Sequence, residues 1–201
     1  MKVGVLALQG DFREHIAALS DLGVEAFAVR TASEISNIDA LILPGGESTT
    51  IAKLARSFDL FDLIKRRIGE GLPVYGSCAG MILLADRVLD AALDQETFGG
   101  IDMTVRRNAF GRQVDSFESE LEMVGIAGPA IKTIFIRAPW VEEFGSSVTV
   151  LASLEIGGLT HPVAVRQGNL LATSFHPEIS GDNRIHKFFV DEVCSDLRSR
   201  M

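Results

Sequence analysis

The stretch Pro73-Val74-Tyr75-Gly76-Ser77-Cys78-Ala79-Gly80, running on into Met81-Ile82-Leu83-Leu84-Ala85, constrains this chain more than any other. A short apolar strand meets a glycine, a cysteine stands at the centre of the turn, and a second glycine lies where a helix begins. Gly-x-Cys-x-Gly between strand and helix is the pattern of a nucleophile elbow with sulfur in place of the serine oxygen. The glycines leave room for a tight turn that holds the central residue in strained backbone geometry and pushes its side chain into a cleft. The positive end of the helix dipole favours a thiolate there, and the Ala79 N–H is placed to point at an oxyanion. The competing reading makes Cys78 a small buried hydrophobe, the commoner fate of a free cysteine.

An elbow needs a buried parallel sheet behind it, and the flanking sequence supplies one. Residues 3–8 form an apolar run closed by Gln9-Gly10, which suits a strand buried on both faces. Residues 12–22 carry Ile16, Leu19 and Leu22 at helical spacing, with Gly23 placed to end the helix. Residues 24–30 and 39–43 read as strands, the second stopped by Pro44-Gly45-Gly46. Ser48 or Thr49 is expected to cap a helix over 51–57, a further helix runs from Phe61 to Ile68, and Met81 to Ala85 lies on another. Strand and helix in alternation imply an α/β fold with a mostly parallel central sheet and helices on both faces. From about residue 98 the pattern changes to short β-like runs, at 101–105, 116–124, 131–137, 148–154, 162–166 and 170–175, several of them expected to pair antiparallel. Residues 182–198 are expected to form a last helix that packs on the sheet through Ile185, Phe188, Phe189, Val193 and Leu197. With no Pro/Gly/Ser linker and no repeat, residues 1–201 read as one domain.

At 201 residues the chain can bury roughly 70% of its unfolded surface, so its core needs no disulfide or metal to close. The 27 acidic against 19 basic residues give a net charge of −8, which argues against nucleic acid or an anionic membrane as the main partner. Two cysteines, Cys78 and Cys194, are too few for a disulfide framework and fit a reducing compartment. The N-terminal apolar run is too short for a signal peptide, and no stretch approaches the ~18 apolar residues of a membrane span. The expected setting is cytoplasmic.

A cysteine nucleophile needs a base. His176 stands in Ser174-Phe175-His176-Pro177-Glu178, where Pro177 forces the chain out of the preceding strand. Strand ends of open α/β sheets border the ligand crevice, and Glu178 is close enough to hold the imidazole in its tautomer. His161 precedes a proline with no carboxylate after it. His15 lies on the first helix beside Glu14 and is expected at the surface; His186 is expected on the polar side of the last helix. The loop Pro44-Gly45-Gly46-Glu47-Ser48-Thr49-Thr50 offers backbone N–H groups at a strand end, but it lacks the lysine of a phosphate loop. A glycine-rich turn followed by a Ser/Thr cap is its bland alternative.

Together, Leu43-Pro44-Gly45-Gly46-Glu47-Ser48-Thr49-Thr50, the Cys78 elbow and Ser174-Phe175-His176-Pro177-Glu178 resemble the class I (triad) glutamine amidotransferases. Leu8-Gln9-Gly10 with Glu14-His15, the segment from Arg107 to Glu118, and Phe135-Ile136-Arg137-Ala138-Pro139 narrow the resemblance to the glutaminase subunits of pyridoxal 5′-phosphate synthases. It runs nearly end to end. The resemblance implies hydrolysis of L-glutamine to L-glutamate and ammonia; no cofactor is expected, and the two cysteines and four scattered histidines make no spaced metal set. Cys78 resembles the nucleophile, His176 the base and acid, and Glu178 the orienting carboxylate. It further implies that Gly46, Glu47, Ser48, Arg107, Ile136 and Arg137 contact glutamine, and that Gly46 and Ala79 supply the oxyanion N–H groups. A free amino acid does need a cation for its carboxylate and an acceptor for its ammonium. The implied partner is a pyridoxal 5′-phosphate synthase subunit, a (β/α)8 barrel that takes the ammonia for vitamin B6 biosynthesis, with Gln9 and Gly10 relaying docking to the Gly45-Gly46-Glu47 loop.

Two other readings stay open on sequence grounds. One is a glutaminase domain serving a different synthase, from which the segment 107–118 separates this chain. The other is a non-catalytic redox-sensing or binding module on the same fold, against which His176 and Glu178 both argue.

Overall fold

The computed structural model describes residues 1–110 and 116–195. In chain order its strands are β1 (Lys2–Leu6), β2 (Glu25–Val29), β3 (Ala40–Leu43), β4 (Val74–Ser77), β5 (Ala85–Leu89), β6 (Ile101–Arg106), β7 (Ser116–Leu121), β8 (Ile131–Ile136), β9 (Trp140–Phe144), β10 (Thr149–Ile156), β11 (Leu159–Gln167) and β12 (Leu170–Thr173). The helices are α1 (Phe12–Asp21), α2 (Ala32–Ser36), α3 (Ser48–Ser57), α4 (Phe61–Gly69), α5 (Ala79–Leu84) and α6 (Arg184–Phe188). A 3-10 turn covers Pro177–Ile179, and a π-helical turn follows α6 over Phe189–Val193.

Seven strands make the main sheet in the order β10-β11-β12-β4-β3-β1-β2. The five from β12 to β2 are mutually parallel, and β11 and β10 add on antiparallel. Alternation of side chains sends Leu41, Leu43, Val74 and Ala172 into one apolar core, where Ile51 and Ala55 of α3, Phe61 and Ile64 of α4 and Leu83 of α5 cover them. Ile42, Tyr75 and Leu171 face the opposite core, under Leu19 of α1, Phe135 of β8 and Ile185 of α6. Both faces are therefore dry, which is why these strands read as continuous apolar runs. A three-stranded sheet (β5-β6-β9) and the β7-β8 hairpin complete the C-terminal half. Among the described residues no helix is long and apolar enough to cross a membrane.

The expected α/β architecture and its antiparallel additions are present, with corrections at particular elements. α3 begins at Ser48, and its cap is Glu47 rather than Ser48 or Thr49: the carboxylate accepts the N–H groups of Thr49 and Thr50. α5 stops at Leu84, so Ala85 opens a strand. β5, β9 and α2 have no counterpart in the sequence reading, although Thr31 and Glu34 form a full capping box at the start of α2. The last helix is not continuous: Cys194 N–H donates to Phe189 O, which inserts the π turn after α6. Leu197 lies outside the described residues, as do Gly111 to Asp115 of the segment 107–118.

Candidate active site

Parallel pairing decides where the chemistry collects. Leu43 of β3 is opposite Gly76 of β4, and Ser77 of β4 is opposite Thr173 of β12. The loops that leave β1, β3, β4 and β12 therefore emerge along one edge of the sheet, which is where ligands bind in open α/β folds.

Cys78 turns the chain from β4 into α5 with φ 49° and ψ −100°, a region that L-residues rarely adopt. Its N–H donates to Thr173 O at 2.7 Å, pinning the strained residue to β12. Gly76 and Gly80 are required by close approach: a Cβ on Gly76 would strike Gly80 O, and one on Gly80 would strike Leu43 O. The thiol faces a cavity of about 350 Å³ that is also lined by Gly46, Glu47, Ser48, Ala79, Arg107, Ile136, Arg137 and His176. All the residues expected from sequence to touch substrate thus share one cavity with the cysteine.

His176 follows β12, its N–H held by Ile134 O of β8. Its Nδ1 lies 2.7 Å from Glu178 Oε1, and Glu178 is enclosed behind the imidazole on the 3-10 turn. Burial opposes a charged imidazole, but hydrogen bonds to Cys78 and Glu178, with the charges of both, outweigh it and push His176 up to about 10. Burial raises Glu178, and the His176 N–H works against that rise. Thiol and imidazole thus line the same cavity, with the carboxylate behind the imidazole.

Glu47 does two jobs. Besides capping α3, its Oε1 accepts from Arg107 Nη2 at 3.0 Å. Partial burial opposes its ionisation, yet hydrogen bonds from the Thr50 hydroxyl and from the N–H groups of Thr50 and Thr49 hold the carboxyl down at about 2. Arg107 is steadied by Thr49 Oγ1 and Gln95 Oε1 at 3.2 and 3.1 Å. Arg137 reaches the cavity from a left-handed backbone position, φ 43°, where the chain leaves β8. The cavity thus carries an anchored carboxylate and the Arg107 guanidinium beside the thiol, with Arg137 on its wall.

Sequence reasoning missed several neighbours. Asp11, Ile82, Asn108 and Pro139 also line the cavity, as does Gln9, expected from sequence only as a docking relay, and Asp11 Oδ2 lies 3.6 Å from His176 Nδ1. The placing of His15 and His186 is corrected outright: both are fully buried, and His15 Nδ1 sits 2.8 Å from His186 Nε2. Periodicity on α1 and α6 could not reveal this, because the partners that compensate these rings lie far away in sequence.

A family model described as the SNO glutamine amidotransferase family matches residues 5–195. This chain belongs to that family. Its similar relatives include the pyridoxal 5′-phosphate synthase subunit PdxT of Kineococcus radiotolerans, 63% identical over 95% of this chain and 94% of that protein. The PdxT subunit of a Nocardioides species is 60% identical over 96% of each. Among solved structures, a glutamine amidotransferase superposes with a TM-score of 0.86 at 48% identity, covering 96% of this chain and 98% of the other. PurLQS from Thermotoga maritima, at 18% identity and a TM-score of 0.63 over 98% of each chain, shares the fold.

Proposed function

We propose that this chain hydrolyses L-glutamine to L-glutamate and ammonia, and that it delivers the ammonia to a pyridoxal 5′-phosphate synthase subunit. The observation that carries the reading is the placement of Cys78, forced to φ 49° at the wall of a charged cavity, beside an imidazole whose far nitrogen is 2.7 Å from a buried carboxylate. The high identity to PdxT subunits supports the choice of partner.

In this reading Arg107 and Arg137 hold the α-carboxylate of glutamine and Glu47 holds its ammonium, with Gly46, Ser48 and Ile136 shaping the rest of the pocket. The Cys78 thiolate attacks the side-chain amide carbon. The carbonyl π electrons move to oxygen, and the oxyanion is met by the Ala79 N–H at the helix start and by the Gly46 N–H. Protonated His176 gives its proton to the amide nitrogen, the C–N bond breaks, and ammonia leaves a thioester on Cys78. Neutral His176 then takes a proton from water as the hydroxide oxygen attacks the thioester carbon. Collapse releases glutamate and returns the thiolate beside imidazolium. Glu178 orients the ring and favours its charged form throughout. A cytoplasmic setting belongs to the same proposal and agrees with Cys78 and Cys194 not being joined in a disulfide.

The test is glutamate release from glutamine by the purified chain, alone and with a pyridoxal 5′-phosphate synthase barrel added, paired with co-purification of the two. Release that disappears in Cys78→Ala, and a barrel that co-purifies, are expected. No release in either condition overturns the glutaminase reading; release without any association overturns the choice of partner.

A further inference from the structure

Behind the triad carboxylate lies a polar cluster that the reaction above does not use. His15, fully buried on α1, brings Nε2 to 3.0 Å from Ser77 Oγ and 3.5 Å from Glu178 Oε2. Its other nitrogen contacts His186 Nε2 at 2.8 Å. Glu178 Oε1 is taken by His176, so Oε2 is the remaining oxygen, buried and without a well-formed hydrogen bond among the described residues. A carboxylate oxygen in a dry site is costly unless a donor faces it. His15 Nε2 stands where that donor is needed.

The pair of rings decides which nitrogen carries the proton. Burial lowers His15 well below the ordinary histidine range, with the charges of His186 and His176 adding to it, and burial lowers His186 to about 4. Each ring is therefore neutral, with one N–H. If His186 Nε2–H donates to His15 Nδ1, the His15 proton sits on Nε2 and faces Ser77 and Glu178. What is left over is a lone pair at His186 Nδ1, the ring atom that has no hydrogen-bond partner among the described residues. The opposite arrangement strands a buried N–H at that atom and turns a His15 lone pair toward the carboxylate. Orphaned buried donors are the rarer and costlier case, so the first arrangement holds. The titratable groups around His15 and Glu178 are His176 beyond β12, Asp11 just before α1, His186 on α6, and Tyr75 on β4, whose hydroxyl is engaged by Thr173.

We infer that His15 is a positioning residue for glutamine hydrolysis: its Nε2–H donates to Ser77 Oγ at 3.0 Å and, facing Glu178 Oε2 at 3.5 Å, steadies the carboxylate electrostatically so that Oε1 stays on His176. The inference rests on the glutaminase reading and deepens it. The same N–H favours the ionised carboxylate, countering the rise that burial imposes.

The experiment compares wild type, His15→Leu and His15→Gln, each with the synthase barrel present. His15→Leu should lower kcat by about 10- to 100-fold, taking as the scale the effect of losing an outer hydrogen-bond partner of a metal-ligating residue. KM for glutamine should change by less than about threefold, since no substrate contact is lost. The acid limb of kcat/KM should move to higher pH, because Glu178 loses a donor to its charged form. His15→Gln, whose amide N–H reaches toward the same oxygen, should recover most of the rate and return the limb. Nitrogen-15 spectra of histidine-labelled wild type should show His15 neutral and protonated at Nε2. His15→Leu with wild-type kcat and an unmoved limb overturns the inference, as does a folded His15→Gln no better than Leu, or a proton on Nδ1. If His15→Leu fails to fold, the Gln variant and the tautomer decide. A wild type that releases no glutamate overturns the glutaminase reading and this inference with it, whereas an active wild type matched by the Leu variant overturns this inference alone.

Discussion

Gln9 Oε1 accepts the backbone N–H of Glu47 at 2.8 Å, tying the loop after β1 to the loop after β3. Asp11 N–H makes a second tie, to Gly45 O at 3.2 Å. The peptides on both sides of Gly46 are thus held by residues 9–11. Gly10 permits the contact, for its φ is 99° and a Cβ there would strike Gly45 O. If docking moves residues 9–11, the Gly45-Gly46 peptide turns with them, at little steric cost because both residues are glycines.

The first prediction follows from that tie. The free chain should be a poor glutaminase and the synthase barrel should activate it by as much as about 10²–10³, the worth of one oxyanion donor. Gln9→Ala and Gly10→Ala should reduce the activation while leaving Cys78 reactive toward a thiol-directed glutamine analogue. Steady-state turnover with and without barrel is the measurement, and equal turnover in the two conditions would refute partner activation.

Cys78 gives a prediction about stability as well as rate. Cys78→Ala should abolish glutamate release with the fold intact. Cys78→Gly should also be inactive but more stable than the Ala variant. Relief of a strained φ is worth about 1–3 kcal/mol, and glycine gives back roughly 0.5–1 kcal/mol in chain entropy. Urea unfolding of the two variants reads the difference directly; an Ala variant as stable as the Gly variant would mean that the turn is not strained.

The pair His176 and Glu178 predicts a pH dependence with a definite sign. His176 is raised to about 10 in the folded protein, against about 6.5 for a free imidazole. Its contribution to stability is complete below about pH 6.5 and fades as pH climbs toward 10. The stability of wild type relative to His176→Asn should therefore shrink across that interval. His176→Asn should lose nearly all glutaminase activity. Glu178→Gln should lose less, though still orders of magnitude, because nucleophile and base remain. A fully active Glu178→Gln would assign the orienting role elsewhere.

Arg107 and Glu47 should act on binding. Arg107→Ala removes a guanidinium from the cavity and the 3.0 Å partner of Glu47, and should raise KM for glutamine about 10- to 100-fold with a smaller effect on kcat. Because Glu47 is held down at about 2, its Arg107 contact should be constant from pH 5 to pH 9. A KM that climbs steeply within that interval through Glu47 titration would contradict the hydrogen bonds described.

What the sequence disclosed was local. The elbow at Gly76-Ser77-Cys78-Ala79-Gly80, the break at Pro177 and the glycine pair at 45 and 46 each mark a strand end by their own chemistry, and the structure gathers them at one cavity. What it hid was long-range. His15 reads as a surface residue from its helix, yet it is buried because Glu178 and His186 come to it from the far end of the chain. β5 and β9 escaped notice because charges interrupt their apolar pattern, and those charges are answered across strands, Arg87 by Asp102 and Arg106 by Glu142. Glu47 was legible as an acid at a loop, but its capping of α3 depends on where the helix starts.

The register that puts Thr173 beside Ser77 has a consequence for how this protein would wear out. The thiol and the imidazole follow neighbouring central strands, about 4.8 Å apart across a hydrogen-bonded ladder. They cannot separate unless the ladder opens, and central strands open only with the whole molecule. Heat inactivation of the free chain should therefore track the loss of the fold itself, while wear confined to the outer loops would weaken glutamine capture first and leave a cysteine that still reacts.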